Sequence, residues 1–201
     1  MTLKLLFVGE GPRDAATVPR IVERILEVSV EENCVPWPRL HGSRRTGNRG
    51  YKNKLRFAVL QAANRALAGV VATIDSDQRS SGDGIERLMK AREESRASSP
   101  PFPTVLGEAI PHLEAWLLDD AVAVRGALGI EASVEIIAVS KTKDPKSSLH
   151  QLCAPLAASE ELTILSDICR QLAIERCMHA DSTGFARFVR EVMSELGPVS
   201  S

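Results

Sequence analysis

The chain has 201 residues, 44% hydrophobic and 25% charged, which is enough apolar material for one globular domain, or one domain with an appendage. A formal net charge of −1 excludes a global attraction to nucleic acid or membranes, so any such attraction must be local. Cys34, Cys153, Cys169 and Cys177 form no C-x-x-C pair, which argues against a disulfide framework or a zinc ribbon and for buried, reduced thiols.

Leu3 to Val8 is an apolar strand, and Gly9-Glu10-Gly11-Pro12 ends it. Pro12 suits the first turn of a helix, in which Ala15, Val18, Val22, Ile25 and Leu26 recur at helical spacing. Arg13, Thr17, Arg20, Arg24 and Glu27 fall on its other face. Cys34 to Leu40 reads as a second strand, and Pro36 and Pro38 place it at an edge. Residues 53–68 predict a helix ended by Gly69. The run VVATI (70–74) then predicts a buried strand that runs into Asp75 and Asp77.

A helix over 85–96 and the breaker SSPPFP precede a strand around residues 104–110, and Pro111 opens a helix carrying Leu113, Trp116 and Leu117. Strands alternating with helices at these lengths predict an α/β fold, a parallel sheet with helices on both faces. After a short candidate strand, VEIIAV (134–139), Asp144-Pro145 signals a helix start, and two further helical patterns follow. The organisation expected is an α/β core over residues 1–140 and a helical extension over 141–201 packed on it. LLFVGEG is too short for a signal peptide and no run reaches membrane length, so a cytoplasmic, soluble protein without membrane association is expected.

In open parallel sheets ligands bind beyond the carboxyl ends of the strands. Glu10, Asp75, Asp77 and Glu114 all fall at such ends, and Asp14 lies one turn into the first helix. If extended, Asp75 and Asp77 point to one side about 6.5 Å apart, from a rise of about 3.3 Å per residue. Their repulsion is about 2–3 kcal/mol at an effective dielectric near 20, and under about 1 kcal/mol in bulk water. A half-buried pair therefore calls for a cation, a proton or a basic partner, and oxygen donors suit Mg2+ or Mn2+. Each acid also has a bland explanation, since carboxylates favour first helical turns and Asp is common where strands turn. Asp119 and Asp120 lie on a different helical face from Glu114 and are read as terminating that helix.

The segment HGSRRTGNRGYKNKLR (41–56) carries Arg44, Arg45, Arg49, Lys52, Lys54 and Arg56 with no acid, in a glycine-rich loop leading into a helix. It follows the second strand and should lie on the same edge as the acids, where it would grip a phosphate backbone with Tyr51 free to stack. A solvated loop is the plain alternative. Lys146, in the first turn of the helix after Asp144-Pro145, is a candidate for stabilising charge on a phosphate, and His112 for proton transfer. A surface lysine and a structural histidine are the ordinary alternatives.

The run LLFVGEGPRDAATVPRIV resembles the opening motif of the TOPRIM (topoisomerase–primase) family, and VVATIDSDQ resembles its Asp-x-Asp motif. AIPHLEAWLLDD and DPKSSL are similar to segments of small stand-alone TOPRIM-like proteins distantly related to the overcoming-lysogenization-defect nucleases. The resemblance covers residues 3–120 well and the remainder loosely. It implies a sheet flanked by helices that binds Mg2+ or Mn2+ and acts on phosphodiesters. Glu10 would handle a proton or bind metal, Asp75 and Asp77 would be the metal-binding pair, and Asp14 and Glu114 would be additional acids. It also implies DNA rather than RNA as partner and a separate-chain ATPase, since this chain has no Walker phosphate loop; an oligomer is compatible with it. A lone tyrosine, Tyr51, and no second domain speak against a topoisomerase, and missing template-binding parts against a primase. A glycosyltransferase would leave Glu10-Gly11 and the basic segment unexplained, and a haloacid-dehalogenase-like phosphatase needs its Asp-x-Asp after the first strand. The remaining alternative is a non-catalytic TOPRIM-like module that binds nucleic acid or a partner.

Overall fold

A computed structural model describes residues 2–37, 49–76, 83–98, 101–131, 136, 141–142, 144–154 and 157–198. Strands β1 (Thr2–Gly9), β2 (Ser29–Pro36), β3 (Gly69–Asp75) and β4 (Thr104–Ala109) form one sheet in the order β2-β1-β3-β4, with every neighbouring pair parallel. Helices α1 (Pro12–Leu26), α2 (Arg49–Asn64) and α3 (Asp83–Ser98) connect them. Then come α4 (Glu114–Leu118), α5 (Ala121–Leu128), α6 (Pro145–Cys153), α7 (Ala158–Gln171), a 3-10 turn (Ile174–Arg176) and α8 (Phe185–Leu196).

Alternation along the central strands sends side chains to two separate cores. Leu6 and Val8 of β1 and Val70, Ala72 and Ile74 of β3 pack with Leu55, Ala58, Ile85 and Leu88 of α2 and α3. Leu5, Phe7 and Val71 face the other way, towards Val18, Ile21 and Val22 of α1 and Phe185, Phe188 and Val192 of α8. The fold is therefore α/β with both sheet faces covered, which is why the strands read as unbroken apolar runs. On the α1 face, Trp116 stacks on Phe188 with ring centroids 4.9 Å apart and lies 5.3 Å from Phe185. Arg92 and Arg96 of α3 pair with Glu191 and Glu195 of α8 at 2.5 and 2.6 Å, so α8 is tied to β4 and α3 as well as packed on them.

From β1 the chain crosses to β2 on one side, and from β3 it crosses to β4 on the other. The carboxyl ends of β1 and β3 are therefore the point where the connections diverge, and a crevice opens there in such sheets. Pairing between β1 and β3 stops at Val8–Ala72. One residue further, the Thr73 carbonyl accepts a bond of 2.7 Å from the Trp37 indole, which crosses from the end of β2 and keeps that carbonyl satisfied.

Several elements differ from their sequence expectation. The second strand lies at Ser29–Pro36 rather than at 34–40. Its outer residues, Glu31 and Glu32, are polar because it is an edge, with Lys4 pairing Glu31 at 2.9 Å across the ladder. Helix α2 begins at Arg49, before residue 53, and ends at Asn64; Ala66, at φ 51, turns the chain and Gly69 belongs to β3. Asp120 opens α5 by accepting from Val122 and Ala123 N–H groups at 3.2 and 3.1 Å, instead of merely closing the preceding helix. Cys153, Cys169 and Cys177 are buried, whereas Cys34 is exposed. The expected strand 134–139 lies, except for buried Ile136, outside the described residues. Among the described residues no helix is long and apolar enough to cross a membrane.

Candidate functional site

At the carboxyl edge, Gly9 ends β1 and Glu10 projects from the turn into α1. The Glu10 N–H donates to the Asp14 carboxylate, one turn along α1, so the loop closes back on itself. This closure needs glycine at position 9, because a Cβ there would sit 2.5 Å from Asp14 Oδ2. Beside this turn is a cavity of 410 Å3 lined by Gly9, Glu10, Pro12, Asp14, Cys34 and Thr73, among others.

Asp75, the last residue of β3, lies on the α1 face by alternation from Val71. Its Oδ1 accepts the Leu113 N–H at 3.1 Å and its Oδ2 lies 3.2 Å from His112 Nδ1. Both partners come from the loop after β4, so Asp75 links the ends of two strands to the start of α4. Burial pushes its carboxyl up to about 7, reinforced by repulsion from Glu10, Asp14 and Glu114 and opposed by His112. Asp14 is lifted to about 6, first by burial; bonds from the Glu10 and Gly11 N–H groups oppose this, and the charges of Glu10 and Glu114 add to it. The four acids Glu10, Asp14, Asp75 and Glu114 thus share one field, although they come from three separate segments.

Glu114, buried at the first turn of α4, is already engaged. Arg13 donates to its Oε1 at 2.6 Å and to Glu161 Oε1 of α7 at 2.5 Å, so one guanidinium fork holds α1, α4 and α7 together. Arg13 and Glu161 escape sequence reasoning, because Glu161 lies 148 residues away on a helix whose place could not be read locally. The polar face expected for α1 is accordingly covered by α7, with Arg24 Nε donating to the Leu172 carbonyl at 3.0 Å.

Asp77, Arg44 and Arg45 lie outside the described residues. Arg49 opens α2. Lys52 pairs with Glu94 of α3, Arg56 is exposed, and Lys54 is buried. Lys146 is exposed in the first turn of α6. Asp144 caps that helix through Ser147 N at 3.0 Å, and its carboxyl is held below the usual value chiefly by Ser147, with His112 contributing. The start of α6 therefore faces the acidic edge. Asp119 and Asp120 serve elsewhere: Asp119 accepts from the His179 N–H at 2.8 Å, and Asp120 binds Ala173 N at 2.9 Å and Arg176 Nη2 at 2.6 Å.

Among the described residues no three His, Cys, Asp or Glu side chains stand close enough to hold one metal ion. The donor chemistry nonetheless suits a hard cation. The donors are all carboxylate oxygens, and the Asp14 and Asp75 oxygens are oriented by backbone N–H groups, as ligands require.

No protein-family model and no curated protein matches the chain. Two solved structures are similar over 90% of this chain and 91% of theirs, both of them creatininases carrying a tryptophan-to-phenylalanine mutation. One, described as type II, has 12% identity and a TM-score of 0.38; the other has 10% and 0.39. At that level the likeness carries no argument about this chain, and these comparisons lend no support to the TOPRIM resemblance.

Proposed function

We propose that the carboxyl edge of the sheet binds Mg2+ or Mn2+ and processes phosphodiester bonds, as in a TOPRIM-like nuclease acting on DNA in the cytoplasm alongside a separate ATPase. The observation that carries this is that Glu10, Asp14 and Asp75 come together where the connections diverge, with two carboxyls lifted to about 6 and 7 by burial and by repulsion from neighbouring carboxylates. When bound, the ion neutralises that charge and polarises a phosphoryl oxygen. Asp14 and Asp75 would hold it, with Asp77 as a further ligand. Glu10, at the mouth of the cavity, takes a proton from the attacking water. His112, fixed against Asp75, passes that proton to solvent. Lys146 reaches the developing charge from the start of α6. Glu114 contributes its charge and positions Arg13.

A second reading is favoured by one observation, the absence among the described residues of three ligands set for one ion. On that reading the protein is a TOPRIM-like binding module without catalysis, and the acids are turn and helix-start residues. Calorimetric titration with manganese, on wild type and on Asp75→Ala, separates the two. The nuclease reading expects binding and metal-dependent DNA cleavage by wild type, with or without the ATPase, and loss of both in Asp75→Ala. A wild type that ignores millimolar manganese leaves only the binding module.

A further inference from the structure

The cavity beside the turn from β1 into α1 has a floor and walls that the metal reading of the acids does not use. Phe7 faces α1 together with Leu5, and Cys34, its ladder partner in β2, shares that face. Thr73, two residues after Val71, lies on it too. All three line the cavity, with Ala15 and Val18 of α1 opposite them. The Cys34 thiol donates to the Ala15 carbonyl at 3.8 Å and so joins β2 to α1 along one side. Pairing between β1 and β3 stops at Val8–Ala72, beside this space.

The charged residues that line the cavity are Glu10 and Asp14, both acids, and no Lys, Arg or His lines it. Its volume of 410 Å3 falls within the range of about 300–1,000 Å3 usual for small-molecule sites. A phosphate entering it would meet two carboxylates and no cation, and is repelled. The hydroxyls of a sugar would lose water against mostly apolar walls. The space therefore suits a neutral group with apolar faces, joined to something that the acids hold through a cation.

In a polynucleotide the group of that kind is the base, which has two apolar faces and is one sugar away from the phosphate. We infer that the cavity takes an unpaired base of nucleic acid, next to the phosphate held at the acidic edge, so that the substrate is a single strand or a locally opened duplex. This rests on the phosphodiester reading of that edge. A base inside an intact duplex is stacked on both faces and reaches such a pocket only by leaving the stack. The inference thus narrows the substrate class by the shape and polarity of the walls, which are independent of the metal.

Cys34 supplies the reporter, because it is exposed at the cavity while Cys153, Cys169 and Cys177 are buried. Partial burial and the Glu32 charge push its thiol up to about 11, so alkylation by iodoacetamide at mildly alkaline pH is slow enough to follow by mass spectrometry. Wild type is alkylated with manganese in the presence of a short phosphorothioate single strand, the same strand without bases, or the intact duplex. The single strand is expected to slow alkylation about fivefold or more, and the abasic strand and the duplex to change it less than about twofold. Cys34→Phe, which fills the space, should weaken single-strand binding about tenfold by fluorescence anisotropy and abasic-strand binding by less than about twofold. Equal protection by the abasic strand, no protection by the single strand, or wild-type affinity in Cys34→Phe each overturns the base pocket. If Cys34→Phe does not fold, protection of wild type decides. Repeating the protection in EDTA, beside the manganese titration of wild type, keeps the two claims apart. Manganese binding without base-dependent protection sinks the pocket alone, and base-dependent protection in a protein that ignores manganese sinks the metal reading alone.

Discussion

Asp75 should make the protein less stable as pH rises from about 4 to about 7. Its carboxyl titrates near 7 in the folded chain, against a reference value of 3.8. Between about pH 4 and 7 the folded state keeps a proton that the unfolded state has released, so the folded state binds more protons and stability falls with pH. At about 1.36 kcal/mol per unit, the roughly three-unit difference corresponds to about 4 kcal/mol for Asp75 alone. Asp14, titrating near 6, adds a smaller loss of the same sign. Asp75→Asn removes the charge but keeps an oxygen for the Leu113 N–H and an amide for His112. The variant should therefore be more stable than wild type at pH 7.5 by about 2–4 kcal/mol, and should match it within about 1 kcal/mol at pH 4.5, where the native carboxyl is already neutral. Urea unfolding at pH 4.5, 6 and 7.5 reads both numbers. Wild-type stability that is flat or rising from pH 4.5 to 7.5, or an Asn variant weaker than wild type at pH 7.5, would refute the account of a buried, mutually repelling acidic edge.

Asp120→Ala should cost about 3–5 kcal/mol in urea unfolding, because it uncaps α5 and strips Ala173 N–H and Arg176 of a carboxylate that is 1% exposed. Gly107→Ala should lower stability by about 1–3 kcal/mol, since the new methyl would meet the Phe188 ring at 2.6 Å and push α8 off β4; thermal unfolding read by near-UV circular dichroism checks it.

Patterns of short range make much of this fold legible. Apolar runs at Leu3–Val8 and 70–74, each closed by glycine or an acid, mark the central strands because those strands are buried on both faces. Edge strand β2 escapes such reading for the converse reason: only Val30 is well buried in it, so its polar residues leave no apolar run. Helix α5 is hidden because Asp119-Asp120 looks like a helix end, and whether an Asp closes one helix or caps the next depends on which N–H groups turn towards it.

The site divides in the same way. That Glu10, Asp14 and Asp75 occur at a strand end or in the first helical turn is local information, held in the spacing of residues against hydrophobic runs. That Arg13 grips Glu114 and Glu161, that His112 reaches Asp75, and that Lys54 is buried are facts of tertiary structure. Each depends on segments distant in the chain meeting across a sheet whose strand order no single segment encodes. A charge read from sequence is only a charge, and its burial and its neighbours, set by packing, decide whether it is a solvated side chain, an ion-pair clamp or part of a binding site.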